Sequence, residues 1–112
     1  MAVRVGVVGL GIGKRHVQEY AALEGVQVVA VADTDLQRAK QVSTRYGSRA
    51  YEDGVAMMDR ESLDAVSVCT PPRWHRDLTL AAASRGIHVL CEKPMAPTIA
   101  ECDEMIDACG QA

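Results

Sequence analysis

Val3-Arg4-Val5-Gly6-Val7-Val8 runs directly into Gly9-Leu10-Gly11-Ile12-Gly13-Lys14, and the reading of this stretch decides the fold. The first half is almost wholly apolar, as a strand is when both of its faces are covered. The second half opens a helix expected from Lys14 to Glu24, with Val17, Tyr20 and Ala21 on one face. A glycine loop between a strand and a helix suits phosphate binding. Gly9 allows the tight turn, and Gly11 lets the backbone approach a pyrophosphate with no Cβ in the way. Free amides at the helix start then hold the phosphate oxygens. A strict G-x-G-x-x-G would place its third glycine at position 14, which is Lys14. Either the turn is one residue tighter, or Gly13 alone provides the close packing of helix on strand.

The rest of the chain repeats the alternation. Val26 to Ala32 is a second buried strand. Leu36, Ala39, Val42 and Tyr46 recur at helical spacing up to Gly47, a natural stop. A short strand at Arg49 to Tyr51 and a brief helix around Val55 to Met58 follow. Ala65 to Cys69 is a fourth strand, stopped by Thr70-Pro71-Pro72, since consecutive prolines cannot serve a central ladder. His75 to Arg85 is a helix ended by Gly86, and Ile87 to Cys91 a fifth strand. Thr98-Ile99-Ala100-Glu101 spells a capping box, in which Thr98 and Glu101 satisfy each other's amides. The last helix then carries an apolar stripe of Ile99, Cys102, Met105, Ile106 and Cys109. Five strands separated by helices mean one α/β domain over residues 1–112, a parallel sheet with right-handed crossovers.

Composition bounds the partners. Lys plus Arg is 12 and Asp plus Glu is 15, a formal charge of −3, which offers no basic footprint for nucleic acid or an anionic membrane. The apolar runs Val5 to Leu10 and Val26 to Ala32 fall far below the ~20 residues of a membrane span. Met1-Ala2-Val3-Arg4 lacks a signal-peptide cleavage site, so a cytoplasmic protein is expected. Cys69, Cys91, Cys102 and Cys109 form no CxxC pair. They read as buried reduced thiols, and no metal site is expected.

Asp33 closes the second strand, 24 residues beyond Gly9, where a dinucleotide fold places a carboxylate for the adenosine ribose. A 2′-phosphate would be repelled there, with Asp35 adding to the effect. Arg38 is the nearest compensating cation, a turn into the helix and able to face solvent. NAD is favoured over NADP. Two blander readings stand beside this one: a glycine turn with no ligand, and Asp33 or Thr34 as a helix cap. The spelling G-x-G-x-G also resembles the first motif of methyltransferases that bind S-adenosylmethionine. Those carry an acidic residue just before or within the loop, where this chain has Val7-Val8.

Two later segments narrow the choice. Asp64-Ala65-Val66-Ser67-Val68-Cys69-Thr70-Pro71-Pro72-Arg73-Trp74-His75 resembles the D-A-V-x-[IV]-x-T-P-x-x-x-H stretch of the Gfo/Idh/MocA oxidoreductases, the glucose–fructose oxidoreductase and inositol dehydrogenase family. Gly86-Ile87-His88-Val89-Leu90-Cys91-Glu92-Lys93-Pro94 resembles that family's G-x-H-V-x-x-E-K-P signature. With the glycine loop and Asp33, the resemblance runs through the whole chain in order.

The resemblance implies a Rossmann fold with strand order 3-2-1-4-5. It also implies cofactor contacts from Gly9, Gly11, Ile12, Gly13 and Asp33, with Thr70, Pro71 and His75 lining the nicotinamide half. Glu92 and Lys93 match the family pair beside the nicotinamide ring. Lys93 is the implied catalytic residue, touching a substrate hydroxyl or carbonyl and assisting proton transfer, with burial lowering its pKa. His75 has an alternative as the first-turn residue of an exposed helix. His16 fits the family's early-helix histidine, His88 reads as structural, and Trp74 as partly exposed above the cofactor. The implied substrate is a sugar or polyol, bound only if a second α/β domain, absent from this chain, is supplied. Ile87 to Cys91 is then an open edge through which copies could associate. Two readings remain: the cofactor domain of an NAD-dependent oxidoreductase, with little turnover alone, or a self-standing dinucleotide-binding module.

Overall fold

The computed structural model describes residues 2–112. Parallel strands β1 (Val3–Val8), β2 (Val26–Ala32), β3 (Arg49–Tyr51), β4 (Ala65–Val68) and β5 (His88–Cys91) form one sheet in the order β3-β2-β1-β4-β5. The helices between and after them are α1 (Gly13–Ala21), α2 (Leu36–Tyr46), α3 (Gly54–Arg60), α4 (His75–Ser84) and α5 (Ile99–Gln111), with a 3-10 turn at Pro72–Trp74. Successive strand residues point to opposite faces, and the core divides accordingly. Val7, Val31, Val17 of α1 and Val42 of α2 pack on one side. Val8, Val66, Val68, Met57 of α3 and Ala82 of α4 pack on the other. This is the expected doubly wound sheet, and its order reverses between β1 and β4.

The local signals mostly hold. Asp35 is the α2 cap, accepting from the Gln37 and Arg38 amides, in place of the expected Asp33 or Thr34. Helix α1 stops at Ala21, short of Glu24, because the Ala22 and Leu23 amides reach back three residues and tighten the last turn. Thr98 caps α5 by accepting from the Glu101 amide at 3.2 Å. The reciprocal bond does not form: Glu101 Oε2 is buried without a hydrogen-bond partner. The α5 stripe is only partly covered. Met105 is buried, whereas Ile99, Ile106 and Cys109 are exposed, so Cys109 is not the buried thiol expected. No helix among the described residues is long and apolar enough to cross a membrane.

Two glycines of the loop sit where no side chain fits easily. Gly9 has φ +88°, and a Cβ there would lie 2.7 Å from the Cys69 carbonyl carbon. Gly13 supplies the close approach of helix to sheet, since a Cβ would sit 3.0 Å from Val7 and 3.3 Å from Cys69. Position 14 thus has no need of glycine. At Gly11 an added Cβ would meet nothing within 4 Å. Gly9→Ala is expected to cost about 2 kcal/mol or more of stability, from left-handed strain plus a backbone clash. Gly11→Ala should stay within about 0.5 kcal/mol. Urea unfolding of the two variants beside the parent checks the contrast, and equal costs would overturn it.

Candidate functional site

A cleft of about 790 Å³ opens beyond the carboxyl ends of β1, β2 and β4. Its lining includes Gly9, Gly11, Asp33, Thr70, Pro71 and Trp74. Its floor follows from the fold: the loops after β1 and β4 lie side by side where the sheet order reverses, the usual ligand crevice of such sheets. Helix α1 points its N-terminus here with no side-chain cap and no acid in its first turn. Among the described residues, the Gly11 and Ile12 amides donate to no acceptor of the chain. Free amides at a helix start favour an anion. The open space over Gly11 leaves room for one.

Asp33 is buried at the cleft's other side. Its Oδ2 accepts from the Leu10 amide and its Oδ1 from the Asp35 amide, both at 2.8 Å. The carboxylate therefore ties the end of β2 to the glycine loop and still has lone pairs facing the cleft. Arg38 does not simply face solvent. Its Nη1 lies 3.6 Å from Asp33 Oδ2, and it lines the same cleft.

The remaining sequence-predicted residues lie elsewhere. Ile12 is exposed at the loop tip and Gly13 is buried under it; neither lines the cleft. His75 is wholly buried and contacts carbonyls of Thr70, Pro94 and Met95, so it is neither a cleft wall nor an exposed first-turn residue. Its two ring nitrogens are drawn inward because those loop carbonyls have no ladder to satisfy them.

Glu92 turns toward α1 and away from the cleft lining. Its Oε2 meets His16 Nε2 at 2.7 Å, and its Oε1 accepts from the Lys93 amide at 3.2 Å. His16 Nδ1 lies 3.1 Å from Ser67 Oγ, which in turn meets the Tyr20 hydroxyl at 2.6 Å. The hydrogen bond from His16, with help from the Lys93 amide, holds the Glu92 carboxyl below its usual range. Lys93 itself is exposed and lies outside the cleft lining, so the burial expected for it is not provided by these residues. Burial instead pushes the neighbouring Cys69 and Cys91 thiols up, to about 12 and about 11. Both are neutral, unreactive thiols.

From the sequence Tyr20 is only a residue of the apolar face of α1 and Ser67 only a residue of the fourth strand; their meeting with His16 is a finding of the fold. The signal was present: Ser67 is the one polar residue in Ala65-Val66-Ser67-Val68, and strand alternation puts it opposite Val66 and Val68, facing α1.

Comparison with known proteins gives the family and the fold. Residues 3–112 match the family described as an oxidoreductase family with an NAD-binding Rossmann fold. D-glucoside 3-dehydrogenase of Escherichia coli is 38% identical over 108 residues, covering 94% of this chain and 31% of that protein. A myo-inositol dehydrogenase from Lactobacillus casei, solved with NAD(H) and myo-inositol, superposes with a TM-score of 0.89 at 29% identity. That match covers 96% of this chain and 33% of that one. A 3-ketoreductase from Actinomadura kijaniata, solved with NADP, gives 0.91 at 29% identity, covering 99% and 35%. The chain spans about a third of the length of the curated relatives it matches.

The Glu92 interaction has a defined pH signature. A carboxyl with a depressed folded-state pKa contributes stability that is complete above its unfolded value, roughly 4.3, and is lost as pH falls through the folded value. Parent and Glu92→Gln should therefore differ in urea midpoint by a full gap above about pH 5, the gap closing as pH falls below about pH 4. A constant gap across that range would show that His16 and Lys93 do not stabilise the ionised form.

Proposed function

The chain belongs to the Gfo/Idh/MocA oxidoreductase family, and from that premise we propose that residues 1–112 are the dinucleotide-holding unit of a dehydrogenase for a sugar, polyol or related hydroxyl or carbonyl compound. One observation carries the reading. The uncapped start of α1, the open space over Gly11 and the buried carboxylate of Asp33 all face a single cleft at the sheet's reversal point. In this reading the free amides of Gly11 and Ile12 hold a pyrophosphate, Gly9 makes the turn and Gly13 the close packing that aim them, and Asp33 accepts from the ribose hydroxyls. Thr70 and Pro71 bound the nicotinamide end. The family match favours this ligand over S-adenosylmethionine.

A bound nicotinamide supplies the two-electron hydride exchange. The chain's own part is binding and positioning. Lys93 would donate a hydrogen bond to the substrate oxygen and take or return its proton, once a further α/β unit covers it. Glu92 and His16 fix the backbone from which Lys93 projects. With Lys93 exposed and no enclosed substrate site among the described residues, the chain by itself is proposed to bind cofactor with little or no turnover. That exposure also favours the second reading, a binding or sensing module without catalysis.

NAD is proposed over NADP because the buried Asp33 carboxylate would repel a 2′-phosphate. Arg38 tempers that preference from 3.6 Å. The lone tryptophan, Trp74, lines the cleft and is half exposed, which makes it a built-in reporter. Titration with NADH should give saturable energy transfer, tighter than with NADPH. Asp33→Ala should weaken NADH by about tenfold, the worth of a hydrogen bond to a charged group. No saturable signal with either cofactor would overturn the reading, and NADPH binding tighter would overturn the preference.

Among the described residues nothing pairs with the outer edge of β5, and its Leu90 is 54% exposed. We propose association of copies along this edge. Light scattering should show mass rising with concentration, and a constant monomer mass would exclude it.

A further inference from the structure

His75 opens α4 and is completely buried, 0% exposed. Nε2 lies 2.7 Å from the Thr70 carbonyl oxygen, and Nδ1 lies 3.0 Å from each of the Pro94 and Met95 carbonyl oxygens. All three partners are pure acceptors, so each ring nitrogen must donate to form its bond. A neutral imidazole has one N–H. It can hold the Thr70 side or the Pro94–Met95 side, and it leaves a bare lone pair against a carbonyl on the other. Only the doubly protonated ring holds both.

We propose that His75 is a proton-dependent clasp, a positioning residue that joins the cleft-lining loop after β4 to the loop after β5 that carries Lys93. With two protons on the ring, Thr70 and the Lys93–Pro94 segment sit in one rigid frame. With one proton, one of the two loops is released. The bearing on catalysis rests on the dehydrogenase reading above; the clasp itself does not.

Among the described residues no ionisable side chain bonds the ring. On α4, Arg76 pairs with Asp77 and with Glu104 of α5. On β5, Cys91 directs a neutral thiol at the carbonyls of Glu92 and Met95. Cys102 on α5 is half-buried, and Asp59 on α3 is bound by Arg85. Arg73 in the 3-10 turn lies over the Trp74 ring and is exposed, as is Lys93. From β4, the buried thiol of Cys69, just beyond its end, is neutral. Glu101 on α5 keeps one carboxylate oxygen buried without a partner and makes no bond to the ring; the ring's bonds are to the three carbonyls alone.

The test uses the full chain, labelled with 15N. Long-range 15N–1H spectra follow both His75 ring nitrogens from about pH 5 to about pH 9, the span of ordinary histidine titration. Backbone amides of Thr70 and Lys93 and the Trp74 emission are read on the same samples. The expected result is two protonated ring nitrogens at the acid end and loss of one proton on raising the pH. The Thr70 or Lys93 amide and Trp74 should shift with the same midpoint. His75→Gln, which cannot titrate, should lose that shared step. The parent spectra decide the matter even if the variant does not fold. A ring that stays a single neutral tautomer throughout, or loop signals that ignore its titration, would overturn the clasp. NADH affinity measured alongside separates the two readings: a titrating clasp with no NADH binding would sink the dehydrogenase reading and leave the clasp standing.

Discussion

The site depends on how closely two strand ends can approach. Gly9 passes the Cys69–Thr70 peptide at a distance that leaves no room for a side chain. The contact sets the loops after β1 and β4 side by side, which makes the cleft. It works only because β1 and β4 are neighbours, with the Val8–Val68 register bringing both strands to the same level before they turn. A side chain at Gly9 would force the loops apart or rotate the peptide, and the start of α1 would no longer point where it does. Gly13 makes a similar approach against Val7 and Cys69 one turn later. Gly11, between them, is bare for a different reason: the space beside it belongs to no part of the chain.

Around this contact the structure places buried polar groups where the strands end, because a parallel sheet leaves unpaired amides and carbonyls at that edge. Asp33 takes two amides, Leu10 and Asp35, from segments with no ladder partner. His75 takes three carbonyls. The division follows charge: an acceptor-only carboxylate serves the donors, and an imidazole serves the acceptors. Bonds from backbone amides to a carboxylate such as Asp33 are short and strong in a dry setting, which suits an edge that must stay open to a ligand.

How much of this was legible in the sequence follows from the range of each signal. Strand and helix positions came through because periodicity and stop signals act over a few residues; β2, α2 and β3 match to the residue. Strand order 3-2-1-4-5 follows from the family resemblance, while the crossover rule gives only parallel strands and their hand. The cleft residues Gly9, Gly11, Asp33, Thr70 and Pro71 were legible because each sits at a strand's carboxyl end. What was hidden depends on contacts distant in sequence. Arg38 reaching Asp33 depends on its rotamer, and Glu92 turning to His16 spans 76 residues. For His75 the motif position says where the backbone goes and nothing of which way the ring turns, so neither a cleft wall nor an exposed first turn describes the buried ring.

The two histidines sharpen that last point. His16 faces a hydroxyl and a carboxylate, Ser67 and Glu92. The Ser67 hydroxyl can accept or donate, so the ring is satisfied with one proton or with two. His75 faces carbonyls alone and is satisfied only with two. The same side chain is therefore tolerant at the end of α1 that braces Lys93 from below and exacting at the start of α4 that ties its loop to the cleft. The support beneath Lys93 stays in place whichever state His16 adopts. Any proton-dependent looseness is confined to the link between the two loops. An edge built in this way can let the loops part without unfolding the sheet, because the core clusters on its two faces share no residue with the link.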